Sequence, residues 1–363
     1  AHRVSEANNL VHKAKLDAGT GFRLVNKAPT NQLSYTAPIF HADRQHPLMS
    51  INWFPGHMNK ATREIREILP KVDLIIEIVD ARLPYSSSNP VIENFRADKP
   101  CLKLLSKSDL ADPAITQQWL EHLQKDPTVR ALAITTHQPE PMRKLADICQ
   151  QMVHKKRDRA TTITALITGI PNVGKSTFIN TLAGRQVARA GNEPAVTQRQ
   201  QRIELGGGLI LIDSPGILWP KIENRNSGYR LALSGAIKAS AMQEDDVALF
   251  AAEYFMQAYP QQMKERFKRD DLPEEGVPFL ETIGKQRGCL GSGGHVDFDR
   301  AATLLISEYR GGRLGQLTLE TPAMAEQEHV KVAEIRRLKE EEKEAKKKAR
   351  KAAYKAKGQQ GPN

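Results

Sequence analysis

Cysteine is scarce in this chain, long apolar runs are missing, and each shortage removes a class of protein. Three cysteines in 363 residues, Cys101, Cys149 and Cys289, lie far apart and make no CxxC pair. That argues against a disulfide framework and a zinc site, and for a reducing compartment. No apolar stretch approaches the roughly 18 to 20 residues needed to span a bilayer, so no membrane partner is expected. Residues 1–48 have no secretory apolar region and little of the serine of a transit peptide, although six Lys/Arg face three acids there. They read as a disordered extension, or as the product of a start upstream of the natural one at Met49. The last 19 residues, 345–363, contain seven Lys/Arg and no acid, so of a net charge of +11 the rest of the chain carries +4. A basic chain of this kind suits an anionic partner such as nucleic acid.

What is present begins with Gly169-Ile170-Pro171-Asn172-Val173-Gly174-Lys175-Ser176-Thr177, which fits G-x-x-x-x-G-K-[ST], a phosphate-binding loop. Its glycines let backbone N–H groups turn around phosphate oxygens, and the helix that follows adds its positive end. Lys175 would reach the terminal phosphates, and the Ser176 hydroxyl would ligate Mg²⁺. A buried strand over 162–168 precedes the loop and a helix from Phe178 continues it, so the context is that of a nucleoside triphosphate site. Downstream, two strands over 201–205 and 209–212 flank Gly206-Gly207-Gly208, a hairpin signal. The second ends in Asp213-Ser214-Pro215-Gly216, a DxxG element whose aspartate would hold Mg²⁺ through water and whose glycine N–H would meet the γ-phosphate. Between loop and hairpin, Thr197 is the candidate switch threonine for Mg²⁺ and γ-phosphate.

Upstream, strands over 73–80, 101–105 and 131–134 alternate with helices near 57–69, 114–124 and 140–153. This alternation predicts a doubly wound, mostly parallel sheet with its ligand at the strands' carboxyl ends. The second of these strands ends in Ser106-Lys107-Ser108-Asp109, which is similar to the guanine-reading NKxD element. Asp109 can accept from guanine N1–H and N2–H₂, a pair that adenine does not offer, and the Lys107 stem packs along the base. Serine replaces the usual asparagine, so the tie to base and phosphate loop is weakened or replaced. Thr135-Thr136-His137 occupies the place of the third base-reading element. Both elements precede the phosphate loop, and so does Val79-Asp80-Ala81. The ring of elements is that of a GTPase opened after DxPG, a circular permutation. One consequence is that the loop after Gly216 runs directly into whatever follows the nucleotide domain.

From about 222 the strand signal ceases and helical patterns run to about 318, while 325–357 reads as a solvated single helix or arm. The expected organisation is an extension over 1–48, a permuted P-loop GTPase domain over 49–222, an all-helical domain over 223–320 and a charged basic tail over 321–363.

Over about 50–320 the chain resembles the circularly permuted ribosome-assembly GTPases of the YlqF/RbgA type. The resemblance rests on Trp53-Phe54-Pro55-Gly56-His57-Met58, Asp80-Ala81-Arg82-x-Pro84, the Pro-Asn of the phosphate loop and Asp213–Gly216. In the helical part it rests on Leu231–Ile237 and Arg310-Gly311-Gly312-Arg313-Leu314-Gly315. It implies GTP hydrolysis with Mg²⁺, stimulated by a large ribosomal subunit precursor, and a helical domain that contacts ribosomal RNA. It implies a monomer in the cytoplasm, or alternatively in the mitochondrial matrix. Ile217 stands where signalling GTPases keep a water-orienting glutamine, and the resemblance assigns that task to His57. It also makes Asn172 a ligand for K⁺ beside the phosphates. Lys155–Arg159, Lys285, Arg287, Arg310 and Arg313 are the expected RNA-facing cations, with the 346–357 run adding salt-sensitive attraction. A P-loop enzyme acting on a small molecule and a switch with a protein partner are the competing readings.

Overall fold

Every residue of Leu74–Asp80 is buried, as is every residue of Cys101–Ser106. Strands apolar on both faces belong at the centre of a parallel sheet covered by helices. In this computed structural model, which describes residues 56–135, 144–153, 162–188, 201–237 and 242–358, they occupy that place. All the described residues fall within one compact unit.

In chain order the nucleotide half consists of α1 (Gly56–Ile68), β1 (Leu74–Asp80), α2 (Pro84–Ser87), α3 (Pro90–Arg96), β2 (Cys101–Ser106), α4 (Pro113–Leu123), β3 (Val129–Ala133), α5 (Leu145–Val153), β4 (Ile163–Gly169), α6 (Lys175–Ala183), β5 (Gln201–Leu205) and β6 (Leu209–Asp213). Helix α1 buries Met58, Ala61 and Ile65, one stripe at helical spacing. Helix α4 starts where Asp112 accepts the N–H groups of Ala114 (2.8 Å) and Ile115 (3.2 Å), with Pro113 in the first turn.

Among the described residues the sheet order is β3-β2-β1-β4-β6-β5, parallel throughout except for the β5–β6 hairpin. Strand β4, which feeds the phosphate loop, lies at the sheet's centre beside β1. It comes fourth in the chain, after the strands on its β1 side and before those on its β6 side, so the sheet is circularly permuted. The chain reverses its direction of sheet building between β1 and β4, and that switch point is where a doubly wound sheet binds its ligand.

Beyond β6 the described residues are helical: α7 (Arg225–Ser234), α8 (Glu244–Ala258), α9 (Pro260–Phe267), α10 (Gly276–Gln286), α11 (Phe298–Arg310) and α12 (Pro322–Gly358). Helix α12 has 37 residues, which at 1.5 Å per residue is a rod of about 55 Å. Its start is docked. Glu328 accepts both Arg230 amino groups of α7 at 2.8 Å, and Arg230 also donates to Glu320 at 3.2 Å. Buried Glu320 in turn takes the N–H of Tyr85 (2.8 Å) and of Ser86 (3.0 Å) at the start of α2. Arg230, held by Glu328 of α12 and by Glu320 just before it, thus joins the start of the terminal helix to α7, and Glu320 joins it to α2. No helix among the described residues is long and apolar enough to cross a membrane, and the three cysteines are buried and free.

Candidate nucleotide site

Asp80, Ser106, Gly169 and Asp213 are the last residues of β1, β2, β4 and β6. The parallel sheet thus brings four segments far apart in sequence to one edge. Gly169 crosses so close to β1 that a Cβ there would lie 2.7 Å from Ile78 O and 2.9 Å from a Val173 methyl. The phosphate loop is pressed directly onto the sheet, and α6 leaves from Lys175. Lys175 is buried and its ammonium pairs with Asp213. Ser176 is half-buried in the same turn, and Thr177 is exposed.

The Asp213 loop is stitched to the phosphate loop. Ser214 donates to Ile167 O through its N–H (3.2 Å) and hydroxyl (2.9 Å), and Ile217 N–H donates to Gly169 O at 3.2 Å. At Gly216 a Cβ would stand 3.1 Å from both Cα and N of Pro171, so only glycine fits without moving the loop. Ile217 is fully buried and its carbonyl accepts from Asn89 at 3.1 Å, so its side chain is directed into the core. The second carboxylate oxygen of Asp213 is buried with no hydrogen-bond partner among the described residues. Burial pushes this carboxyl above its ordinary range against the pull of Lys175. An orphaned buried anionic oxygen beside the Ser176 turn fits a divalent cation or its water, so the residues present suit Mg²⁺.

On the other side of the switch point lies Ser106–Asp109, the segment expected to read the base. The Ser106 hydroxyl stands 2.7 Å from Val173 O and 2.9 Å from Val79 O, so the tie to the phosphate loop is kept through the shorter side chain. Lys107 adopts φ +55°, unusual for a residue with a Cβ. Its ammonium is held by Asp80 at 2.8 Å and Asn172 O at 2.9 Å. Asp109 sits in the short turn that follows, and the backbone of Ser108 bonds Ile134 O at 3.2 Å, which brings Thr135 alongside. Ser106, Lys107, Asn172, Val173 and Asp80 therefore form one connected cluster. Thr136, Thr197, Trp53–Pro55 and Lys155–Arg159 lie outside the described residues, as does the His57 side chain, although His57 belongs to α1.

The hub of the cluster is a pair that sequence reasoning used only as a family signature. Asp80 accepts Arg82 Nε at 3.0 Å and Nη2 at 2.9 Å, as well as the Lys107 ammonium, with both partners of the Asp80–Arg82 pair essentially inaccessible to solvent. Burial opposes ionisation of Asp80, but the Arg82 and Lys107 charges outweigh it and hold the carboxyl well below the usual range. The Arg82 guanidinium lies 4.5 Å from the Tyr309 ring centroid and donates to Tyr309 O at 3.2 Å, so α11 packs on the same pair. A second tie runs from the phosphate loop itself, where the Asn172 amide donates to Gly235 O, just past α7, at 2.8 Å.

Two of the expected RNA-facing arginines are exposed and also hold protein groups. Arg310 donates to Leu233 O (2.9 Å) and Ala232 O (2.8 Å) at the end of α7, where Ala232 O also accepts the Gly235 N–H at 3.0 Å. Arg313 pairs with Glu308 at 2.9 Å and with Ser307 at 3.0 Å. Arg310 lies 77 residues from Leu233, so no local pattern announces the contact.

Residues 164–277 match the family described as 50S ribosome-binding GTPase. The chain is 44% identical over 287 residues to Ribosome biogenesis GTPase A of Priestia megaterium, covering 77% of this chain and 99% of that protein. With the protein of the same name from Bacillus cereus it shares 45% identity over 281 residues, covering 76% and 95%. Among solved structures it is similar to GNP-bound YlqF from T. maritima, with 27% identity and a TM-score of 0.55, covering 72% of this chain and 98% of that one.

Proposed function

This chain belongs to the ribosome biogenesis GTPase A family, and we propose that it hydrolyses GTP on a precursor of the large ribosomal subunit whose RNA its helical part contacts. The observation that carries this reading is the direct tie of both halves of the nucleotide site to the helical part, through Asn172–Gly235 and through Asp80–Arg82–Tyr309. A helical body joined in this way to the phosphate loop is suited to grip or release a particle according to the nucleotide. The basic balance of the chain, strongest at its carboxyl end, suits an RNA surface.

In this reading Asp109 selects guanine, Lys107 lines the base, Ser106 holds the base-reading strand to the phosphate loop, and Thr135 and Thr136 close over the ring's far edge. The loop from Asn172 to Thr177 wraps the phosphates, Lys175 exchanges Asp213 for the terminal phosphates, and the Gly216 N–H meets the γ-phosphate. Ser176, Thr197 and Asp213 are the residues that would hold Mg²⁺. Bound there, Mg²⁺ neutralises charge building on the phosphate oxygens. With Ile217 buried, no side chain follows Gly216 to orient water, and His57 takes that role. Asn172 would hold K⁺ through its amide oxygen, its nitrogen remaining on Gly235.

Single-turnover GTP hydrolysis, measured with and without large-subunit precursors in KCl and in NaCl, tests this. A positive charge beside the transferred group is worth roughly 10²-fold or more, so the rate should rise with particles and fall by about that factor when Na⁺ replaces K⁺. No response to particles would contradict the particle reading, and equal rates in the two salts would remove K⁺ from Asn172.

A further inference from the structure

After α11 the chain runs from Gly311 to Thr321 as a strap before entering α12, and this strap lies along the base-reading turn. The Gln316 side-chain amide donates to Asp109 O at 3.1 Å, and Leu317 N–H donates to Leu110 O at 3.0 Å. Asp112 N–H donates to the Thr318 hydroxyl at 3.0 Å. Gly312, at φ +68°, packs so tightly that a Cβ would lie 2.6 Å from a Leu110 methyl. The strap is itself anchored from behind. Tyr254 and Tyr259 of the helical part both donate to Thr318 O at 3.0 Å, and Trp119 donates to Glu320 O at 2.8 Å. Two successive carbonyls of the turn that carries Asp109 thus accept from a rigid support that belongs to the helical part.

The geometry points to Gln316 as a positioning residue for guanine recognition, acting through the Asp109 backbone. The carboxylate of Asp109 must meet two guanine N–H groups at once, and bidentate recognition is lost when the acceptor tilts. Gln316 acts on the Asp109 backbone. It sets the angle from which Asp109 reads the base, and it makes the helical part a determinant of base selectivity and not only of particle binding. The inference rests on the reading that Asp109 selects guanine.

The test compares the full chain with Gln316→Ala and with Gln316→Glu, which keeps the size but has no amide donor. Equilibrium affinities are measured for GDP, for inosine diphosphate, which lacks the 2-amino group, and for ADP. Gln316 is exposed, so both variants should fold and melt like the parent. Loss of one hydrogen bond predicts roughly a three- to tenfold weaker GDP affinity. Inosine diphosphate, offering Asp109 only one N–H, should lose less, so the ratio of the two affinities narrows in both variants. Equal losses for the two nucleotides, or none, would overturn the role of Gln316. A parent chain that binds ADP as well as GDP would overturn the guanine reading and this inference with it.

Discussion

Lys175→Ala is expected to lower single-turnover GTP hydrolysis by roughly 10²- to 10³-fold, the usual cost of deleting one charge stabiliser at a reacting group. The lysine starts α6 and is buried against Asp213, so the same substitution leaves a buried carboxylate with no cationic neighbour. Removing one partner of a buried pair costs about 3–5 kcal/mol, whereas removing both charges costs far less. The double variant Lys175→Ala/Asp213→Asn should therefore regain much of the lost stability while hydrolysis stays down. Stability is read by denaturant unfolding and hydrolysis by phosphate release. Recovery of both together would mean that Lys175 acts only as a structural counter-charge.

Arg82→Ala should be the most destabilising single change among the residues discussed, at about 3–5 kcal/mol in denaturant unfolding. It strips Asp80 of two bonds, leaves the Tyr309 carbonyl and ring face without their cation, and empties a fully buried volume. Lysine is not an equivalent, because a single ammonium cannot span both carboxylate oxygens and lie flat on the ring. Arg82→Lys should recover only part of the loss. A cycle combining Arg82→Ala with Asp80→Asn isolates the pair: the double variant should be less damaged than the sum of the singles. Strict additivity would show that the two side chains do not depend on each other.

The nucleotide half was legible because its signals are local. Runs such as Leu74–Asp80 and Leu209–Asp213 declare buried strands within a few residues, and the glycine spacing of 169–174 declares its own loop. The permutation was legible because it is a matter of order alone. Even the exchange of asparagine for serine at Ser106 left its question readable, and the Val173 contact answers it. What stayed hidden is what distance in sequence conceals. Asn172 meets Gly235 across 63 residues, and Gln316 meets Asp109 across 207. Arg310 looked like a cation on a glycine turn because the carbonyls it covers belong to another helix. The Asp80–Arg82 pair stood in plain view, but its burial, and so its weight, depends on Tyr309 arriving from α11. Residues 325–357 read as a solvated helix or arm; the helix begins at Pro322, and the glutamate that docks it, Glu328, looks in the sequence like any other solvated acid.

The central claim is that the nucleotide decides whether the helical part engages a ribosomal particle. Co-sedimentation with large-subunit precursors, comparing a non-hydrolysable GTP analogue with GDP at one fixed salt concentration, measures this most directly. The account predicts that the chain pellets with the particles in the analogue-bound state and stays in the supernatant with GDP. Equal pelleting in both states would contradict it.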